Sequence, residues 1–576
     1  MKNFFADFFE NKTKIVFTLV LIPLLLYKKA LFYGFSPMDE QWLIEDNSAI
    51  LGSWQSIKKI FSEPTAFIFY RPFFMFSLIV DYHLGKLDAF FYHFSNLVFH
   101  LLNVVLMFYF LLGFKVKNKT AFSLSLLFAV HPIALHTVVW IPGRNDSMLC
   151  IFVLCSFIFL LRNISTHKII YFLWHLLFFA FALFTKENAI ALPFIFLLFL
   201  YFNKNEGKTK IGIYVFLWLF TAFSWFILRK NITNYMPLMQ EGLMSGLKNV
   251  AHSFLVFIGK TIFPLQQSVF PTLKNSSILP GLVTLVLYIL GWVMGKPQNK
   301  KIAFIGLTLF SVLLIIPVFY GALRSPGEQY EHRIYTSMAG ILLFLSQLEF
   351  KISSKRLRLV FIILITLLGT KTYLRMGVYK NKLSFLEAGI NDNPDYYYFH
   401  LTKGEILYKN KDNTGALASF NRAIALNPGR PQSYNSRANV YFTLERYREA
   451  INDYTKAIEH KETNVVVLMQ RCIAYYNLGD IENAMADLTS LKKCCQSQIH
   501  PDMEKTLTEK WEIEQWNRKI KSDPKNANLY VERARFFLEK RMGKEALADL
   551  EKACQLEPKN TVYKGYLNDL SSTFPH

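Results

Sequence analysis

The sequence predicts an all-α protein in two parts: a polytopic membrane helix bundle of about eleven spans, followed by an α-solenoid of helix pairs. Three observations predict it. Of 576 residues, 52% are hydrophobic and only 18% charged, and the mean hydropathy is +0.23; a soluble domain carries about a quarter charged residues. Apolar runs of membrane-spanning length recur until about residue 375 and then stop. Beyond that point small residues return every 34 positions. The composition excludes both a purely water-soluble enzyme and a disordered chain.

A helix crosses a bilayer with about 20 apolar residues. Eleven segments qualify: 15–33, 91–114, 121–140, 147–161, 168–184, 188–202, 211–228, 278–295, 302–320, 334–348 and 357–374. The first follows Lys12 and Lys14 with no small-residue cleavage site after it, so it reads as a retained anchor. Segments 73–84 and 250–264 are short and polar-broken, and read as interfacial or re-entrant helices. The domain organisation expected is a membrane domain over 1–375 with an outer loop at 34–72, a linker at 376–395 and a repeat domain over 396–576.

Lys+Arg 64 against Asp+Glu 42 gives a net charge of +22. In a membrane chain such a surplus marks cytoplasmic loops, and no nucleic-acid partner is expected. The basic groups are Lys12/Lys14, Lys115/Lys117/Lys119, Arg162/His167/Lys168, Lys204/Lys208/Lys210, Lys296/Lys300/Lys301 and Lys351/Lys355/Arg356/Arg358. With eleven spans all six fall on one side, the cytoplasmic one, and the C-terminal half lies outside. The Phe- and Lys-rich composition points to a bacterial inner membrane with the repeats in the periplasm; in a eukaryote the same topology puts them in the endoplasmic reticulum lumen. Six cysteines with no Cys-x-x-Cys give redox or zinc chemistry no support.

In the C-terminal half Ala416, Ala450 and Ala484 are spaced by 34, and Ala546 follows. Twelve residues before each stands Gly404, Ala438, Cys472 or Ala534; four after stands Phe420, Tyr454, Leu488 or Leu550; seven after stands Ala423, Ala457, Leu491 or Ala553. This pattern is the tetratricopeptide repeat, in which small residues let antiparallel helices approach and large ones fill the gap between repeats. Pro428 and Pro558 end second helices, and 495–524 breaks the period with a longer helix at 501–521. Asn435 and Asn439 share a helix face and read either as side chains simply hydrated at the surface or as groups that bond a peptide backbone.

Ionisable groups within spans are costly and mark functional sites by default. His93, Asn96 and His100 share one helical face, and His131 and His136 sit in the outer half of the next span. Arg144, Asp146, Lys186, Glu187, Glu331, His332, Arg333 and Tyr335 fall at outer ends of spans, and the loop 34–72 holds Asp39, Glu40, Glu45, Asp46 and Arg71. The expected topology thus gathers the uncommon polar residues on the outer face. No metal site is expected, because His93 and His131 have no ligand spacing and no carboxylate or Cys stands at a suitable offset.

The strings Tyr70-Arg71-Pro72, Tyr92-His93-Phe94-Ser95-Asn96, His131-Pro132, Gly143-Arg144, Lys186-Glu187-Asn188 and Glu331-His332-Arg333-Ile334-Tyr335 stand in this order. Taken together with the repeats behind them, they resemble the transmembrane and tetratricopeptide-repeat O-mannosyltransferase-like family of the GT-C glycosyltransferase superfamily, over nearly the whole chain. The family's acidic pair in the first outer loop is matched by Asp39-Glu40, where some members carry Asp-Asp. The resemblance implies transfer of a sugar from a polyprenyl phosphate to a hydroxyl, as in protein O-glycosylation, on the outer side of the membrane. It implies Asp39, with Glu40, as the catalytic acid pair. It also implies substrate contacts from Arg71, His93, Asn96, His131, Arg144, Lys186, Glu331 and Arg333. Of these, Arg71, Arg144, Lys186 and Arg333 suit the departing phosphate, because arginine binds it bidentately. The partners implied are the lipid-linked sugar, the membrane and an acceptor protein brought by the repeats. No cofactor is expected, and a divalent metal is left open, since O-mannosyltransferase relatives need none while other GT-C members do. The alternative is a non-catalytic membrane-anchored repeat scaffold for envelope or secretion partners.

Overall fold

The structure is a computed structural model that describes residues 9–65, 69–203, 207–233, 243–265, 267–322, 330–349, 354–461, 465–495 and 499–573. Lys204 and Lys351 of the basic groups, 66–68 of the outer loop and 496–498 of the repeat interruption lie outside the described residues. Two compact units divide the chain, Met1–Pro394 and Asp395–His576. Among the described residues all regular structure is helical, with one isolated bridge between Thr65 and Phe69.

Among the described residues of the first unit six helices are long and apolar enough to cross a membrane: Lys12–Phe32, Ala89–Gly113, Ile141–Thr166, Lys208–Ile232, Lys300–Phe319 and Arg356–Tyr379. Three shorter apolar helices, Ile169–Thr185, Glu187–Asn203 and Leu279–Met294, occupy three further expected spans. The two short segments also form helices, Pro72–Gly85 and Leu243–Lys260.

The two remaining expected spans are built differently. Segment 121–140 is not one helix: Asn118–Val130 ends, His131 is extended at φ −65° and ψ 133°, and a six-residue helix, Ala134–Val139, follows. Pro132 causes the break, because its ring pushes the preceding residue out of the helical region and it has no N–H to give. The freed carbonyls find partners from elsewhere in the unit, as backbone at membrane depth must. Thr372 Oγ1 donates to Val130 O at 2.9 Å, His100 Nε2 to Ala129 O at 3.0 Å and Gln267 Nε2 to Pro132 O at 2.8 Å. Segment 334–348 holds a 3-10 turn, Glu331–Ile334, and an eight-residue helix, Met338–Leu345, about 12 Å long and too short to cross. It packs directly on Lys300–Ala322: a Cβ at Gly306 would lie 2.6 Å from Gly340 O, a backbone approach only glycine permits. Within 376–395, Lys382–Asp392 is a helix of the first unit, tied to the outer loop by Lys382 and Glu45 at 2.6 Å.

The second unit stacks helix pairs: Tyr397–Lys409 with Asn413–Leu426, Pro431–Thr443 with Tyr447–Glu459, Val465–Leu478 with Ile481–Cys495, and Ala527–Glu539 with Gly543–Leu556. The 22-residue helix Pro501–Ser522 fills the interruption, and Thr561–Thr573 follows the last pair. Ala416, Ala450, Ala484 and Ala546 are all fully buried, as are Phe420, Tyr454 and Leu488. A tie absent from the sequence reading runs through the stack. Arg437 bonds Asp453 and Asn421, Arg471 bonds Asp487 and Thr455, and Arg533 bonds Asp549 and Asn517.

Candidate functional site

The outer loop places its two acids differently. Glu40 is 1% exposed and accepts N–H bonds from Ser36 and, at 2.8 Å, from Ile141. Burial raises its carboxyl to about 7 against the pull of those two donors. Glu40 therefore pins the loop to the turn at 141–143. Asp39, its neighbour, is half-buried and accepts the Trp42 indole N–H at 3.3 Å.

Arg144 begins the helix Arg144–Thr166 and is fully buried. Its Nε donates to Asn96 Oδ1 at 2.8 Å, Nη1 to Asp81 Oδ2 and Ser77 Oγ, and Nη2 to Tyr92 O at 2.8 Å. Asn96 in turn donates to the carbonyls of Thr137 and Trp140, at 3.4 and 3.3 Å. Arg144 and Asn96 thus join four segments of backbone and face no open surface. A Cβ at Gly143 would collide with the His136 backbone, which keeps this turn tight against the broken helix.

Three other cations converge. Arg71, stacked 3.9 Å from the Phe69 ring centre, donates twice to Glu187, at 2.9 and 3.2 Å. Lys186 reaches both oxygens of Asp146, at 2.8 and 2.7 Å. Asp146 lies within charge reach of Lys186, Arg71 and Arg333 together. Arg333 lies over the Tyr330 ring, 5.6 Å from its centre. Arg71 Nε has no hydrogen-bond partner.

Glu331 turns to Lys260 with one oxygen, and its other stands 3.1 Å from His136 Nδ1. Tyr379 lies within charge reach of both Glu331 and Glu40, so the outer loop and the Glu331 turn meet near it. His332 is held well below its ordinary imidazole range by burial and by Lys186 and Arg333, and is neutral. Other histidines of the spans meet buried neighbours. His100 Nε2 donates to a carbonyl, so its Nδ1 accepts the Tyr335 hydroxyl at 2.8 Å. His131 Nδ1 accepts the Ile133 N–H at 3.2 Å, and His93 is buried against the backbone of Tyr33 and Gly34.

The structure therefore brings Arg71, Lys186, Arg333 and Glu331 into one region, and Tyr379 links that region to Glu40 on the outer loop. Asn96, His131 and Arg144 are engaged with backbone groups, and His93 is buried with neither ring nitrogen hydrogen-bonded. Asp81, Lys260, Trp140, Tyr330 and Tyr379 escaped sequence reasoning. Asp81 and Lys260 carried a signal, each being a lone charge in a short apolar segment set aside as interfacial. Among the described residues no group of three or more His, Cys, Asp or Glu side chains is placed to hold a metal ion.

Two repeat profiles match the second unit, a tetratricopeptide repeat over 431–464 and a TPR repeat over 404–445. The chain is similar to a protein O-mannosyl-transferase of Caenorhabditis elegans, 23% identical over 389 residues, which are 63% of this chain and 54% of the relative. A protein O-mannosyl-transferase of Homo sapiens is 32% identical over 146 residues, 24% of this chain and 16% of that protein. The chain spans about half the length, or less, of these curated relatives. YrrB, a solved TPR protein with an unusual peptide-binding site, matches 31% of this chain and 96% of its own at 17% identity and a TM-score of 0.22. These relatives show the likeness to the transmembrane and tetratricopeptide-repeat O-mannosyltransferase-like family.

Proposed function

We propose that this chain is a membrane glycosyltransferase that moves a sugar from a polyprenyl phosphate to a hydroxyl of a protein, with O-mannosylation as its nearest chemistry. The observation that carries the reading is the convergence of Arg71, Lys186 and Arg333 on Asp146. Glu187 and Asp146 hold Arg71 and Lys186 in place before the donor arrives, and Arg71 Nε keeps a donor unengaged. A phosphate entering between them accepts charge-assisted bonds from groups already oriented.

In the reaction the acceptor oxygen forms a bond to the anomeric carbon. The bond from that carbon to the phosphate oxygen breaks, and the phosphate leaves with the electron pair. Its growing charge falls to Arg71, Lys186 and Arg333. Asp39 takes the acceptor's proton, while Glu40 holds the loop that carries Asp39 by its bonds to Ser36 and Ile141. Arg144, with all three of its nitrogens engaged, stays out of the donor site and positions the helices around it.

In this reading the basic loops face the cytoplasm of a bacterium, the site opens to the outer side of the inner membrane, and the periplasmic repeats bring an acceptor protein. Support comes from Lys12 and Lys14 ahead of the first long apolar helix, Lys12–Phe32, and from the two repeat profiles. The test is incubation of the purified protein with a radiolabelled polyprenyl-phosphate sugar and a cell-envelope extract. Label transferred to protein is expected. A chain that binds the repeats' partners but leaves all label on lipid is a scaffold, not an enzyme.

A further inference from the structure

Polar atoms deep in a folded protein almost always find a partner, and an orphan costs about 1–3 kcal/mol. Several orphans sit together beside the cation cluster. Trp140 Nε1, His332 Nδ1, His136 Nδ1 and Glu331 Oε2 are all buried and all lack a hydrogen bond. The His136 nitrogen and the Glu331 oxygen lie 3.1 Å apart yet are not aligned as a bond. Trp140 is 8% exposed and Glu331 3%.

The rings that carry these atoms form one group. Trp140 stacks on Tyr330 at 5.8 Å and 23°, and Tyr330 stacks on His332 at 5.4 Å and 23°. His136 lies 6.2 Å from Trp140 and 6.2 Å from His332, centre to centre. The ring faces cover one another, and the polar edges are left unmatched. The unmatched set mixes roles. The indole N–H can only donate, the carboxylate oxygen can only accept, and a neutral imidazole offers one of each. Water or a polyhydroxylated ligand meets such a set, because each hydroxyl both donates and accepts.

We propose that the ring edges of Trp140, His136 and His332, together with Glu331 Oε2, form the subsite that receives the transferred monosaccharide. This rests on the donor reading above and deepens it. In a polyprenyl-phosphate sugar the pyranose hangs directly on the phosphate, so its subsite must adjoin the phosphate cations. His332 precedes Arg333 in the chain and lies within charge reach of Lys186 and Arg71. On its other side the group borders Tyr379, which stands between Glu331 and the loop of Glu40. The sugar is thus placed between leaving group and base.

The test uses the full chain in lipid nanodiscs and two probes, polyprenyl-phosphate mannose and sugar-free polyprenyl phosphate. Trp140→Phe keeps a ring and removes only the indole N–H; His332→Ala removes a half-buried imidazole. Each variant is expected to weaken the mannosyl lipid about five- to tenfold, the worth of one hydrogen bond, and to leave the sugar-free lipid unchanged. Unchanged binding of the sugar-free lipid also reports an intact fold. Equal weakening of both lipids, or of neither, overturns the sugar subsite. A wild-type chain that binds neither lipid overturns instead the donor reading beneath it.

Discussion

Arg144 and Asp81 form an ion pair in which the side chains are 0% and 2% exposed, and Asn96, Ser77 and the Tyr92 carbonyl complete the guanidinium's shell. Removing one partner of such a pair leaves a charge buried without compensation, at a cost of about 3–5 kcal/mol. Asp81→Ala should therefore lower the thermal midpoint of the detergent-purified protein sharply, before any question of activity arises. An unchanged midpoint would mean that the pair contributes nothing to folding.

Asp39 accepts the Trp42 indole N–H and sits half-buried on the outer loop next to Glu40. As general base it is expected to supply about 10²–10⁴-fold. Asp39→Asn should insert and bind donor lipid normally while transfer falls by that factor. Transfer at the wild-type rate by the purified variant removes Asp39 from the mechanism.

Glu40 carries a pH signature. Its folded carboxyl titrates at about 7, against 4.5 for the ordinary group. Between those values the folded state holds a proton that the unfolded state has released, so stability falls as pH rises from about 4.5 to about 7 and levels off above it. The size is a few kcal/mol. Glu40→Gln, which cannot ionise, should flatten this slope in thermal melts recorded across that window. A slope identical to wild type assigns the pH dependence to other groups.

The repeat unit is expected to deliver the acceptor. Deleting residues 396–576 should abolish transfer to protein and spare binding of the donor lipid, read by lipid pull-down and by labelled-protein gels. Protein glycosylation unchanged by the truncation rejects a delivery role.

Ala450 is fully buried against its paired helix, in a cluster with Tyr434, Ala438 and Tyr454. Ala450→Leu overpacks this contact and should destabilise the repeats by about 1–3 kcal/mol. Hydrogen exchange of the full chain, followed in peptides from 431–459, measures it. Unaltered protection there would show that the helix pair yields without cost.

Much of the architecture is legible in the chain because it is periodic or long. Ala416, Ala450 and Ala484 announce the helix pairs by spacing alone, since close helix packing admits only small side chains at those positions. Lys12–Phe32 and Ala89–Gly113 announce themselves by length, since hydrocarbon admits little else. The turns between paired helices were less visible. Lys411, Glu445 and Gly479 occupy equivalent left-handed positions, φ 65°, 58° and 84°, yet only one is the glycine that would mark them.

By itself the sequence determined that this is a helical membrane chain joined to a stack of repeats, with rare charges collected in its first half. Local spacing and hydrophobicity are enough for that. Only the tertiary structure decided which charge meets which. Arg144, Arg71, Lys186 and Arg333 are alike as residues, but one is enclosed by Asp81 and Asn96 while the others gather around Asp146. Arg144 and Asp81 are 63 residues apart and Arg71 and Glu187 are 116 apart, and no local pattern encodes a contact closed by the packing of separate helices. The same holds for Trp140, His136 and His332, whose unmatched edges exist only because Pro132 breaks a helix and the turn at 331–334 folds back against it.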